Sequence, residues 1–312
     1  MLVLGIDTSN YATSLAVLST ETKEVVCDSK RFLPVKEGQR GLRQSDAVFH
    51  HTAALPEMLE ALNSRVPLPQ IGAVGVSVRP RPAPGSYMPC FLVGEGAARA
   101  IALARNVRLV RTSHQQGHVA AALYAAGGSL SERETLVFHI SGGTTELLHC
   151  CGTKILERVG TTTDLYAGQA VDRTGVRLGF PFPAGEQLSH LAAQCREEIR
   201  PKVSVHGTDC SLSGLENQCV KLMEQGAQPA YVAKYCLSAV AYTVLGMIDG
   251  ARRRFPNLPV VCAGGVMSSE IIRPIVQRQV PNAVFVPGRF SSDNAIGTAW
   301  IAAREVGAWP AM

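Results

Sequence analysis

The order strand, polar turn, strand, strand occurs twice in this chain, and that repetition limits the fold more than any other feature. In the first half Leu2 to Ile6 is apolar, Asp7 to Thr13 is a polar turn, Ser14 to Leu18 is apolar again, and Lys23 to Phe32 is a third extended segment. After Gly127-Gly128 the order returns as Leu136 to Ile140, the turn Ser141 to Thr145, Leu147 to Cys151 and Lys154 to Val159. Short apolar runs bounded by turn residues read as strands, and strands followed by helical stretches build layered α/β units. The chain therefore reads as a duplicated α/β unit, with domains at 1–129 and 130–312 and the terminal helix free to pack back on the first. At 312 residues, each half is large enough to bury its own core.

Between the two repeats stands Ser113-His-Gln-Gln-Gly-His118, opening an alanine-rich apolar run. If the run is helical, the i,i+4 spacing puts His114 and His118 on one face about one pitch (~5.4 Å) apart, where both imidazoles can reach one transition metal. Two ligands leave a metal half-coordinated, so a third must come from elsewhere. Solvated or core histidines are the alternative. A zincin-type protease is disfavoured, because its helix needs a glutamate base after the first histidine and here Gln115 takes up no proton.

Glycine-bearing turns supply the other candidates. The turns after the first strand of each half would point backbone N–H groups into a cleft between the halves and hold an anion from both sides, although each is also an ordinary hairpin turn. Asp172 follows an apolar helical segment and would take ribose or threonine hydroxyls, or else a surface salt bridge. Val260 to Gly265 reads as a strand entering the pair Gly264-Gly265, then a helix from Ser268 to Arg278, a layout able to seat a nucleotide on a helix N-terminus. Asp209 to Leu215 starts a helix to Met223, and Pro56 marks a break or restart in the helical run from Ser45. Asp293 caps the apolar terminal helix or is the missing third ligand.

Bulk properties exclude some classes. Apolar residues are 46% and charged residues 18%, a globular balance. No apolar stretch reads as long and uninterrupted enough to span a bilayer, and Met1 to Ile6 looks like a buried strand, not a signal peptide. Nine cysteines without a Cys-x-x-Cys pair suit a reducing compartment, and the cytoplasm is expected. The net charge of +5 agrees with a polyanionic partner such as RNA. The clusters Lys36 to Arg43, Arg79 with Arg81, and Arg252 to Arg254 are phosphate contacts or solvated faces.

Taken in order, Gly5-Ile-Asp-Thr-Ser9, the His114/His118 pair, Ser141-Gly-Gly143, Asp172 with Pro183-Ala-Gly185, Ser213-Gly-Leu215, Ala263-Gly-Gly265 and Ser292-Asp-Asn294 resemble the TsaD family over essentially the full chain. These are the threonylcarbamoyladenosine tRNA-modification transferases, once called O-sialoglycoprotein endopeptidases. The resemblance implies an actin-like ATPase (ASKHA) fold of two ribonuclease-H-like domains with a cleft between them. It implies that His114, His118 and Asp293 bind one divalent iron or zinc ion, and that His139, Ile140, Ser141, Gly142, Gly143, Asp172, Gly185, Gly264, Gly265 and Ser269 contact an adenylate. The implied reaction moves threonylcarbamoyl from threonylcarbamoyl-adenylate to the exocyclic amine of the adenosine beside a tRNA anticodon. Its implied partners are tRNA and the proteins of a threonylcarbamoylation complex, with no membrane. The chain departs from the family's common residues at Tyr11-Ala12 (an acidic pair), Gln116 (Glu), Thr144 (His), Ser269 (Asn), Glu216 (Lys) and the Arg79 to Gly85 loop (Gly-Pro-Gly). These departures leave two further expectations: a catalytically weak paralogue serving as a binding or assembly subunit, and a carbamoyltransferase acting on a small molecule.

Overall fold

The computed structural model describes residues 1–34, 42–291 and 295–309. Asp293, with Ser292 and Asn294, lies outside the described residues, as do Lys36 and Arg40 of the first basic cluster. The chain divides into two compact units: Met1–Glu132, Gly152–Lys154 and Ser292–Met312 form the first, Arg133–Cys151 and Ile155–Ser291 the second.

Unit 1 opens with the antiparallel strands β1 (Leu2–Ser9), β2 (Ala12–Ser19) and β3 (Val25–Phe32). Then come α1 (Gln44–Asn63), β4 (Ile71–Ser77), α2 (Phe91–Arg105), β5 (Arg108–Thr112) and α3 (His114–Ala125). The sheet order is β3-β2-β1-β4-β5, with β4 parallel to β1 and β5 parallel to β4. One face of it packs Leu4, Ile6, Leu15 and Val76 against Leu55, Met58 and Leu62 of α1 and Ala98 and Ala102 of α2.

Unit 2 carries β6 (Glu134–Ile140), β7 (Thr145–Cys151), β8 (Lys154–Thr161), α4 (Ala167–Arg177), α5 (Gly185–Ala193), the hairpin β9 (Ser204–His206) and β10 (Asp209–Ser211), and α6 (Ser213–Glu224). It continues through α7 (Pro229–Arg252), β11 (Val260–Ala263), α8 (Ile272–Gln279), β12 (Val284–Phe285) and α9 (Gly288–Ser291). Its sheet runs β12-β11-β6-β7-β8. The first strand of each unit thus has its two successors on one side and two later, parallel strands on the other. The repeat read in the sequence is a repeat of topology.

The last helix, α10 (Ile296–Glu305), belongs to unit 1 and covers the second face of its sheet. Glycines allow this approach. A Cβ on Gly5 of β1 would stand 2.7 Å from Ala299 N, one on Gly75 of β4 2.5 Å from Thr298 O, and one on Gly297 of α10 2.6 Å from Ala121 N of α3. The helix backbone therefore lies directly on the strands and on α3, a separation that a side chain at any of these positions would prevent.

Several elements differ from the sequence reading. The first polar turn shrinks to Asn10-Tyr11, because the β1–β2 ladder continues through Asp7–Ser14, Thr8–Thr13 and Ser9–Ala12, so Asp7 is a buried strand residue. α1 runs unbroken through Pro56, since the stripe His51, Ala54, Leu55, Met58 and Leu62 is buried on both sides of it and outweighs one lost backbone hydrogen bond. The helix expected from Asp209 begins at Ser213, because Asp209–Ser211 pairs with Ser204–His206. Contrary to the reading that no segment is long enough, α7 has the length and apolarity to cross a bilayer. About 72% of its apolar window is buried inside the chain, where it forms the core of unit 2. Cys90 and Cys150 are buried, and burial pushes both thiols up to about 12, whereas the adjacent Cys151, at the end of β7, is exposed.

Candidate functional site

In unit 1 the histidine helix is fixed at its first turn. Ser113 and Gln116 form a reciprocal capping box: the Ser113 hydroxyl accepts from the Gln116 N–H at 3.2 Å and the Gln116 carbonyl accepts from the Ser113 N–H at 3.3 Å. The next N–H donors, of His114 and Gln115, go to the carbonyls of Arg79 and Pro80 at 2.9 and 3.0 Å. The arginine- and proline-rich loop therefore terminates α3, and Gln116 spends its side chain on the cap.

His114 and His118 then face each other, with their Nε2 atoms 3.0 Å apart and ring centroids 4.4 Å apart. One ion with bonds of about 2.0–2.1 Å can reach two nitrogens at that separation, so the pair fits a metal of the kind imidazole prefers. Behind His114, on the far side of the ring, Asp7 Oδ2 lies 3.0 Å from Nδ1. The sequence reading missed Asp7, because it assigned that residue to a turn. Among the described residues no three His, Cys, Asp or Glu side chains converge on one ion point.

In unit 2 most of the expected nucleotide residues come together at the ends of strands. His139 and Ile140 close β6, and the Ser141–Gly143 turn folds back through Ser141 N–H donating to the Thr144 carbonyl at 2.8 Å. A Cβ on Gly142 or Gly143 would meet nothing within 4 Å, so ligand atoms have access to this backbone. Gly264, at φ +101°, lies against the Ile140 backbone, where a Cβ would stand 2.8 Å from Ile140 N. Gly168, near the start of α4, lies against the same turn, 2.6 Å from Gly142 N by the same measure, and Thr145 Oγ1 accepts from the Ala167 N–H at 2.9 Å. Asp172 Oδ1 accepts from the Ala184 N–H at 2.9 Å, which fixes the start of α5 at Gly185. Burial holds the Asp172 carboxyl above its usual range despite the backbone bonds it receives from Ala184 and Gly185. Ser269 Oγ meets Ser189 Oγ of α5 at 3.0 Å.

The helix expected from Ser268 starts four residues later. Gly265–Ser268 is a short 3-10 turn, and Ser269 is extended with its hydroxyl accepting from the Ile271 N–H, a local bond that competes with helix. The glycine pair is therefore not at an α-helix N-terminus. Sequence reasoning also passed over Asp164. Burial disfavours its carboxylate, but the hydroxyls of Ser211 and Ser213 at 2.5 Å and the N–H of Leu212 at 2.8 Å more than offset this and hold it well below the usual range. It ties the 160–164 segment to the start of α6. The signal was present as an Asp in a Thr-rich turn, but its partners lie almost fifty residues on.

Comparison with known proteins follows the same outline. A family model described as tRNA N6-adenosine threonylcarbamoyltransferase (TsaD) matches residues 35–300. A tRNA N6-adenosine threonylcarbamoyltransferase of Methanopyrus kandleri is 28% identical over 310 residues, covering 96% of this chain and 86% of that protein. One of Streptococcus equi subsp. zooepidemicus is 28% identical over 316 residues, covering 97% and 91%. Among solved structures, component A of the (R)-2-hydroxyglutaryl-CoA dehydratase of Acidaminococcus fermentans superposes with a TM-score of 0.62 at 16% identity, covering 98% of this chain and 99% of that one. A ROK family glucokinase from Streptomyces griseus gives 0.54 at 13% identity, covering 97% and 100%. At such identities the structural likeness establishes the fold alone, which is that of the actin-like ATPases.

Proposed function

This chain belongs to the TsaD family of tRNA N6-adenosine threonylcarbamoyltransferases, and from that membership we propose that it transfers a threonylcarbamoyl group from threonylcarbamoyl-adenylate to the exocyclic amine of the adenosine beside a tRNA anticodon. The observation that carries the catalytic reading is the pair of Nε2 atoms 3.0 Å apart on His114 and His118. We assign these two residues and Asp293 as ligands of one iron or zinc ion. α10, which follows Asp293 in the chain, packs on α3, and this supports the choice. Such an ion, when bound, supplies Lewis-acid polarisation of a substrate oxygen.

The adenylate is assigned to unit 2, on His139, Ile140, Ser141, Gly142, Gly143, Asp172, Gly185, Gly264, Gly265 and Ser269. Support comes from the open backbone at Gly142 and Gly143 and from the contacts that join these segments. The amine nitrogen forms a bond to the carbamoyl carbon, the bond from that carbon to the phosphate oxygen breaks, and AMP and a proton leave. The residues of this chain act by holding an already activated acyl group in reach, which is where most of the rate comes from in such a transfer. The proposed setting is the cytoplasm, with tRNA and the other proteins of a threonylcarbamoylation complex as partners.

The test is to measure metal content of anaerobically purified wild type, His114→Ala and Asp293→Ala, and AMP release from threonylcarbamoyl-adenylate with and without tRNA at several salt concentrations. Stoichiometric metal lost in both variants, AMP release that requires tRNA, and tRNA affinity that falls as salt rises are expected. Metal with AMP release indifferent to tRNA would move the acceptor to a small molecule. Neither metal nor AMP release would leave an assembly subunit.

A further inference from the structure

We infer that Asp7 is a positioning residue: its carboxylate fixes His114 as the Nδ1–H tautomer, so that the Nε2 lone pair is the one offered to an ion shared with His118. The inference rests on the metal-site reading above and goes beyond it to a residue outside the proposed ligand set.

The geometry leaves little freedom at this carboxylate. Asp7 is about 1% exposed, inside β1. Its Oδ1 accepts from the N–H of Ser9 at 3.0 Å, which anchors the group to its own strand and aims Oδ2 at His114 Nδ1, 3.0 Å away. An ionised carboxylate only accepts hydrogen bonds, so the ring nitrogen facing it must be the one that carries hydrogen. The cap at Ser113 and the bond from the His114 N–H to the Arg79 carbonyl fix where the ring is attached, and contacts at both of its nitrogens, Asp7 on Nδ1 and His118 on Nε2, set which edge faces which partner. Asp7 meets Nδ1 while His118 meets Nε2, which places the carboxylate behind the ring, where a partner orients a ligand without binding the metal.

Asp7→Asn tests this. Asparagine keeps the shape but has one oxygen. With that oxygen accepting from the Ser9 N–H, its NH2 faces Nδ1, which must then accept, and the ring hydrogen moves to Nε2. Two-dimensional 15N–1H spectra of the histidine rings in the metal-free protein, assigned by loss of the signal in His114→Gln, read the tautomer directly. Expected are Nδ1–H at His114 in the wild type, Nε2–H in Asp7→Asn, and Co(II) affinity about 10–100-fold weaker in the variant. An Nε2–H tautomer in the wild type would overturn the inference, whether or not the variant folds. Equal Co(II) affinity in wild type and Asp7→Asn would overturn it alone, whereas a wild type that binds no Co(II) would bring down the metal-site reading itself.

Discussion

His51 is enclosed between the β1–β2 hairpin and α1, and its surroundings decide its charge. Nε2 faces the Ser9 carbonyl at 2.8 Å, which only accepts, so Nε2 donates and Nδ1 accepts from the Thr13 hydroxyl at 2.7 Å. Burial lowers its pKa from 6.5, outweighing the hydrogen bond to Ser9 and the charge of Asp7, both of which favour the cation. A histidine kept neutral in the folded state adds stability that is complete above the unfolded value near 6.5 and is lost as pH falls below it. Urea midpoints should therefore drop between about pH 7 and 5 in the wild type and drop less in His51→Gln, which keeps a donor and an acceptor but does not titrate. Parallel curves would show that the acid loss comes from other groups.

At the scale of elements, glycines set how near helices come to strands and to each other. Gly297 of α10 touches the Gly117 carbonyl of α3, and its missing Cβ would stand 2.6 Å from Ala121 N. Both obstacles are backbone, which cannot rotate aside. Gly297→Ala should cost about 3 kcal/mol or more by overpacking. Gly142→Ala, with nothing near its Cβ, should change stability by no more than about 0.5 kcal/mol while impairing AMP release from threonylcarbamoyl-adenylate. Chemical denaturation of both variants, beside the release assay, checks the pair. A stable Gly297→Ala would mean that α3 and α10 can separate without loss, and an active Gly142→Ala would remove the turn from the substrate site.

For the whole molecule, the course of the chain matters more than the count of repeats. Unit 1 is built from both ends of the sequence: Met1–Glu132 supplies the sheet, and α10 returns after unit 2 to cover the face bearing Gly5 and Gly75. Apolar strand surface left open to water loses the main term that stabilises folding. A chain ended at Ser291 should lose amide protection in β1 and β4 while the strands and α7 of unit 2 stay protected, as read by hydrogen exchange with mass spectrometry. Full protection of β1 in that shorter chain would show that α10 is dispensable to unit 1.

Much of this could be read from residue order. The paired strand patterns gave the repeated topology, because a short apolar run, buried along nearly its whole length, and the turn residues that bound it act within a few positions of each other. The spacing of His114 and His118 put both on one helix face, because 3.6 residues make a turn wherever the helix lies. The Ser113-x-x-Gln116 box was equally legible and was passed over. What the sequence did not disclose are the partners that meet across long separations. Asp7 stands behind His114 from 107 residues away, Asp164 ties down the start of α6, and Asp172 bonds the Ala184 N–H at the start of α5. Local pattern fixes dihedral angles and faces. Which faces meet depends on packing over the whole unit, and in unit 1 it was decided where glycine let one backbone lie on another.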